Sequence, residues 1–206
     1  MSLRGKIKAL GGYRITRIAE ERTVSNAALL RDLAGKSVAI VGNSRALADQ
    51  SYGEEIDAAD LVIRINRAPM PTALSHGRRC DWLALATSLS RAEAGRIDAD
   101  RYLWMSHKRK RLSLWVAQSD GFYLHPLERF RSLQDVVKAP PTTGLMVIDL
   151  VASSDAAVIR LYGFDFFASL SLTGRRKPGQ LPHDFAAEKT WLDRLMARDG
   201  RLASIG

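Results

Sequence analysis

Ser37-Val38-Ala39-Ile40-Val41-Gly42-Asn43-Ser44 decides how this chain folds. Five residues, four of them apolar, run to a glycine and then to two small polar side chains. The apolar run is too short for a buried helix and shows no polar alternation, so it reads as a strand buried on both faces of a sheet. Leu61-Val62-Ile63-Arg64-Ile65 repeats the pattern, closed by Asn66 and the breakers Pro69 and Pro71. Asp81-Trp82-Leu83-Ala84-Leu85-Ala86, Arg101-Tyr102-Leu103-Trp104-Met105 and Ala157-Val158-Ile159-Arg160-Leu161-Tyr162, the last ending at Gly163, supply three more strands. Between them, Gly53 with Glu54-Glu55-Ile56 suggests a short helix, and a helix of open extent separates residues 86 and 101. After Pro140-Pro141, the apolar run Leu145 to Ala152 follows a Thr142 cap, the pattern of a helix buried on most sides. Strands alternating with helices predict an α/β fold: a single Rossmann-like domain with a mostly parallel central sheet flanked by helices.

A chain of 206 residues, 46% hydrophobic, 26% charged and 7% aromatic, makes one globular domain, which excludes collagenous, mucin-like and wholly disordered chains. Residues 1–35 read as a basic helical segment ending at Gly35, and residues 36–206 as the domain proper. No apolar run approaches the ~20 residues that span a bilayer, and the N-terminus carries no secretory pattern. One cysteine, Cys80, excludes an internal disulfide and suits a reducing compartment, so the expected location is cytoplasmic. The net charge of +9 favours anionic partners: polyanions, anionic lipid or phosphorylated small molecules. Part of it lies in the first 22 residues, where peripheral contact with an anionic inner membrane face is an option, and part in His107-Lys108-Arg109-Lys110-Arg111. That run reads as a solvated loop or helix face. It lacks the aromatic interleaving of single-strand binders, so nucleic acid is not an expected partner.

Ligands of open α/β sheets bind beyond the carboxyl ends of the strands. Gly42-Asn43-Ser44 falls there, with a glycine that lets the backbone approach a ligand and two short hydrogen-bonding side chains. Arg64-Ile65-Asn66 falls at the next strand end. Two asparagines there could converge on one polar ligand, or each could simply bond its own turn. Thr142-Thr143-Gly144 opens the apolar helix, whose first-turn amides and positive dipole end form a ready anion site. Asp184 is a helix N-cap for an apolar side made by Phe185, Trp191, Leu192, Leu195 and Met196, ending near Gly200. His183 is then just outside that helix and is the best-placed base of the four histidines, with Glu188 one turn inside to orient a partner. Walker, G-x-G-x-x-G, G-x-S-x-G and zinc patterns are absent. Asp98-Ala99-Asp100 resembles a metal-holding D-x-D but sits in a charged stretch with no convincing strand before it, so it reads as solvent-exposed.

In order, these segments resemble the animal-type sialyltransferases, glycosyltransferase family 29. Val38 to Ser44, Tyr52 to Asp57 and Leu61 to Pro69 resemble the large sialylmotif. Pro141 to Gly144 through Val158 to Phe164 resembles the small one, and His183 to Glu188 has the spacing of the very short motif. The likeness covers residues 37–70 and 140–191. It implies a GT-A-variant fold and an inverting, metal-independent transferase that needs no cofactor. Such an enzyme moves sialic acid, or a related acidic sugar, from its CMP donor to a glycan hydroxyl. By resemblance Asn43 and Asn66 contact CMP with Gly42 and Ser44 nearby, Thr142, Thr143 and Gly144 line the donor pocket, Arg64 and Glu188 support it, and His183 is the general base.

Two departures carry expectations of their own. The family's disulfide positions correspond to Val38 and Ser154, which suits a reducing, bacterial cytoplasm. The family's third motif is not recognisable between Phe167 and Pro182, where one of the cations Arg175, Arg176 and Lys177 is expected to supply the phosphate contact instead. The alternative reading, from another class, is a non-catalytic α/β module binding nucleotide or nucleic acid.

Overall fold

The computed structural model describes residues 14–165 and 182–205. Seven strands form one sheet: β1 (Ser37–Val41), β2 (Leu61–Ile65), β3 (Trp82–Leu85), β4 (Arg101–Trp104), β5 (Tyr123–Leu124), β6 (Val158–Tyr162) and β7 (Leu202–Ile205). Their order is β5-β4-β3-β2-β1-β6-β7, and every neighbouring pair is parallel. All five strands expected from the sequence are present; β5 and the edge strand β7 are additions.

The helices are α1 (residues 14–22), α2 (Asn26–Leu33), α3 (Gly53–Asp57), α4 (Ala73–His76), α5 (Arg91–Ile97), α6 (Leu114–Ala117), α7 (Leu127–Val137), α8 (Thr143–Ala152) and α9 (Phe185–Arg198). Side chains alternate across the sheet, which divides them into two apolar layers. Val38, Ile40, Leu61, Ile63, Trp82 and Ala84 share a core with Leu29 and Leu33 of α2, Phe130 and Leu133 of α7, most of α8, and Leu192 of α9. On the opposite face Ala39, Val41, Val62 and Tyr162 pack with Leu47 and Ile56, while Leu83, Leu85 and Trp104 pack with α1, α5 and α6. Burial on both sides is why β1 and β2 carry almost no polar residues.

The basic segment expected over 1–35 is two helices where the structure describes it. The first ends at residue 22, and Ser25 caps the second by accepting from Ala28 N at 3.1 Å. Leu29 and Leu33 are fully buried, so α2 is part of the domain core. At the family's disulfide positions, Val38 packs in that core, and Ser154 donates its hydroxyl to Val151 O. The same two segments are tied by Gly35 N to Asp155 O and Ala157 N to Lys36 O, both 2.8 Å. No helix among the described residues is long and apolar enough to cross a membrane.

β1 is the branch point of the sheet. Strands β2 to β5 accumulate on one side of it, and the chain then returns to place β6 on the other. Such a reversal opens a crevice at the carboxyl ends of the two strands concerned. Gly42 follows β1 there and Gly163 follows β6.

Candidate functional site

The crevice floor is backbone against backbone. Gly42 N donates to Tyr162 O at 2.7 Å and Ser44 N to Gly163 O at 3.3 Å. A Cβ on Gly42 would run into the Gly163 carbonyl, so glycine is required by close approach. Gly163 turns the chain at a φ of +69° and sends Phe164 across the crevice. That ring lies between the two glycines, 3.3 Å from where a Cβ on Gly42 would stand and 2.7 Å from one on Gly144. The end of β1 and the first turn of α8 therefore border one aromatic side chain.

Asn43 is half-buried and reaches toward β2, its Nδ2 donating to Ile65 O at 3.3 Å. Its Oδ1 is buried with no partner among the described residues. A buried acceptor left unpaired at a ligand-binding edge is suited to a donor from a ligand. Asn66 adopts the left-handed conformation, φ 54°, and its Oδ1 accepts from Ala86 N at 2.9 Å. It thus bonds the end of β3 as a turn asparagine does. Arg64 turns to the sheet's other face and is fully buried, donating to Arg79 O and His76 O at 2.6 Å each. Its support is to the fold beneath α4, away from the crevice.

Thr142 caps α8 by accepting from Leu145 N at 3.1 Å, leaving the Thr143 and Gly144 amides as first-turn donors without intrahelical acceptors. Across from it Asp184 caps α9, accepting from Ala187 N at 2.9 Å. The two helix starts are locked together. Thr142 donates its N–H and its hydroxyl to the two oxygens of Glu188, both at 2.7 Å. Glu188 is 2% exposed, and burial pushes its carboxyl up to about 7 despite those two bonds.

His183 completes the lock. Its Nδ1 lies 2.6 Å from Pro140 O. A carbonyl only accepts, so Nδ1 carries the proton and Nε2 keeps its lone pair. Burial and, less strongly, the Lys108 charge hold the imidazole below its ordinary range, opposed by the Pro140 bond. The ring is therefore neutral near pH 7, as a base must be. The other three histidines fit the role less well. His76 and His125 are fully buried and held neutral by burial, at about 4 and about 3, and His107 rests on the Phe130 ring, centroids 4.5 Å apart.

The structure thus joins Gly42, Gly144 and Phe164 in one contact, and Thr142, Glu188, Pro140 and His183 in another, with Thr142 and Gly144 on the same first turn. Asn43 and Asn66 tie β1 to β2 and β2 to β3 along the same edge. Arg175, Arg176 and Lys177 lie outside the described residues. Asp98 and Asp100 are exposed and precede β4, and among the described residues no cluster of His, Cys, Asp or Glu is arranged to hold a metal ion. Phe164 and Pro140 belong to this region and were not expected from the sequence as site residues. The available signal was position alone, because each stands beside a strand end or a helix cap.

Comparison with known proteins bears on residues 15–74 and on the fold. Residues 15–74 match the family model of glycosyltransferase family 29 (sialyltransferase), a stretch that contains the large-motif segments and stops before the other two. A curated rice (Oryza sativa subsp. indica) relative, sialyltransferase-like protein 2, is 41% identical over 66 residues, 29% of this chain. The mouse (Mus musculus) CMP-N-acetylneuraminate-beta-galactosamide-alpha-2,3-sialyltransferase 1 is 61% identical over 31 residues, 15% of this chain. The matches span 17% and 9% of those relatives' own lengths. In fold, a crystal structure of a mammalian sialyltransferase superposes with a TM-score of 0.70 at 16% identity, covering 94% of this chain and 78% of that one. The sialyltransferase CstII from Campylobacter jejuni, solved with the substrate analogue CMP-3FNeuAc, gives 0.58 at 15% identity, covering 82% and 80%. Residues 15–74 thus match the sialyltransferase family model, and nearly the whole chain shares the fold of solved sialyltransferases.

Proposed function

We propose that the protein transfers sialic acid, or a closely related acidic sugar, from a CMP-sugar to a hydroxyl of a glycan acceptor. The observation that carries this reading is the His183 Nδ1 bond to Pro140 O, two residues before the cap of α8. It leaves Nε2 with its lone pair beside a helix start suited to an anionic donor. The names of the proteins it resembles, with CMP-sugar analogues among their ligands, support the choice of donor.

In the proposed step the acceptor oxygen attacks the anomeric carbon and gives its proton to His183 Nε2. The bond from that carbon to the phosphate oxygen breaks, and its electron pair leaves with CMP. Attack opposite the leaving group inverts the anomeric centre. Positive protein groups and backbone donors stabilise the departing charge, which makes a divalent metal unnecessary. Asn43 Oδ1 meets a donor group of the nucleotide. The Thr143 and Gly144 amides face the donor's anionic part, and Glu188 positions them. A cytoplasmic location, with contact at an anionic inner membrane face, is the setting we infer from the single cysteine and the basic N-terminus.

Turnover of CMP-sialic acid with a panel of galactosides, run in chelator, tests this. Wild type should transfer, and His183→Gln should lose ~10²–10⁴-fold in rate while binding CMP with little change. Retained transfer by the variant removes His183 from the base role, and absence of CMP binding by wild type removes the whole reading.

A further inference from the structure

Val158, Arg160 and Tyr162 of β6 share the sheet face opposite α8 and α9 with Ser37 and Ala39 of β1. Between these strands and α3 lies a cavity of about 230 Å³. Ala39, Ala59 and Val158 give it apolar walls, while Glu55, Tyr162 and Arg160 bring polar atoms. None of Gly42, Asn43, Thr142, Gly144 or His183 lines it, so it is separate from the crevice. A concave, mostly apolar space with a few polar groups is the usual form of a small-molecule site. Drug-sized ligands take roughly 300–1,000 Å³, so an occupant here is smaller.

The polar groups of the cavity are unevenly satisfied. The hydroxyl of the buried Tyr162 donates to Glu55 Oε1 at 2.7 Å, which ties that carboxylate to the phenol. Arg160 is partly buried, and its guanidinium reaches only the Ile159 and Arg201 carbonyls, both from Nη1, at 3.5 and 3.4 Å. Bonds that long are weak, and Nε and Nη2 have no partner among the described residues. Other partly buried guanidinium groups are matched: Arg79 with Asp81, Arg101 with Asp32, Arg129 with Asp149 and Arg201 with Asp199, at 2.7–2.9 Å. A planar cation held at an apolar wall without its counter-ion is built for a carboxylate from elsewhere. We infer that this cavity binds a small apolar molecule bearing one carboxylate, and that Arg160 holds that carboxylate. Glu55 on the same wall repels a second negative charge, so a monoanion fits better than a doubly charged phosphate ester.

Benzoate and hexanoate, each against its uncharged amide, test the assignment, because acid and amide are nearly equal in size and differ in charge. Backbone-amide NMR titrations, run with excess CMP so that the crevice is occupied, locate and weigh the binding. Wild type should bind at least one acid about tenfold or more tighter than its amide, with shifts in β6 and at the end of α3. Arg160→Gln should weaken that acid by about ten- to a hundredfold, the range of a charge-assisted bond, and leave the amide unchanged. Arg160→Lys should keep part of the preference, since it retains the charge and loses the fork. Val158→Trp, which fills the cavity, should bind neither compound. Binding of neither acid by wild type, equal affinity for acid and amide, shifts confined to the starts of α8 and α9, or full acid affinity in Arg160→Gln would each overturn the inference. The transferase reading stands in all of these cases.

Discussion

Pro140 contributes a carbonyl, and that carbonyl fixes which nitrogen of His183 can act as base. The neighbouring pair, Thr142 and Glu188, fixes the helix start that faces it. Two 2.7 Å bonds hold Glu188, yet burial dominates and raises its carboxyl to about 7. The folded chain therefore keeps this proton through a range where the unfolded chain has released it. Stability contributed by Glu188 is present at acid pH, falls as pH rises toward 7, and is flat above. At 1.36 kcal/mol per unit, the fall is about 3 kcal/mol. Glu188→Gln, which keeps the size and an acceptor oxygen, should flatten that slope; chemical denaturation of both proteins between pH 5 and 8 measures it. An unchanged slope would mean that Glu188 is ionised throughout.

The elements that build the crevice were legible where they are periodic and flanked by turn residues. β1 and β2 read directly because both faces are buried and nothing polar interrupts the run except Arg64, whose guanidinium finds two carbonyls. Helices α8 and α9 read from their caps, Thr142 and Asp184, each of which accepts the expected amide. β5 has only two residues and β7 is a four-residue edge strand, so neither carries enough alternation to register. The contact between α8 and β6 was hidden likewise, since Gly144 reads as a helix-start residue. Gly144→Ala places a methyl 2.7 Å from the Phe164 ring, so the ring must move. We expect a loss of about 1–3 kcal/mol in stability, from overpacking, and weaker CMP binding. Thermal unfolding with and without CMP reads both. A variant as stable as wild type would mean that Phe164 relocates freely.

For the whole molecule, the topology explains why residues 42 and 163, more than a hundred apart in sequence, meet. The sheet grows from β1 to β5 in one direction and then reverses, so the last crossover returns the chain to the side of β1 left open. Helices α8 and α9 on one face then set their starts along the same edge, fastened at Pro140 and Thr142. A crystal structure with CMP bound shows whether this edge is one pocket shared by Asn43, the first turn of α8 and His183. Asn43 Oδ1 should then lie within hydrogen-bonding distance of the nucleotide, and the phosphate within reach of His183 and the α8 amides. Nucleotide bound at another face of the sheet, or turned so that its phosphate points away from His183, would contradict it.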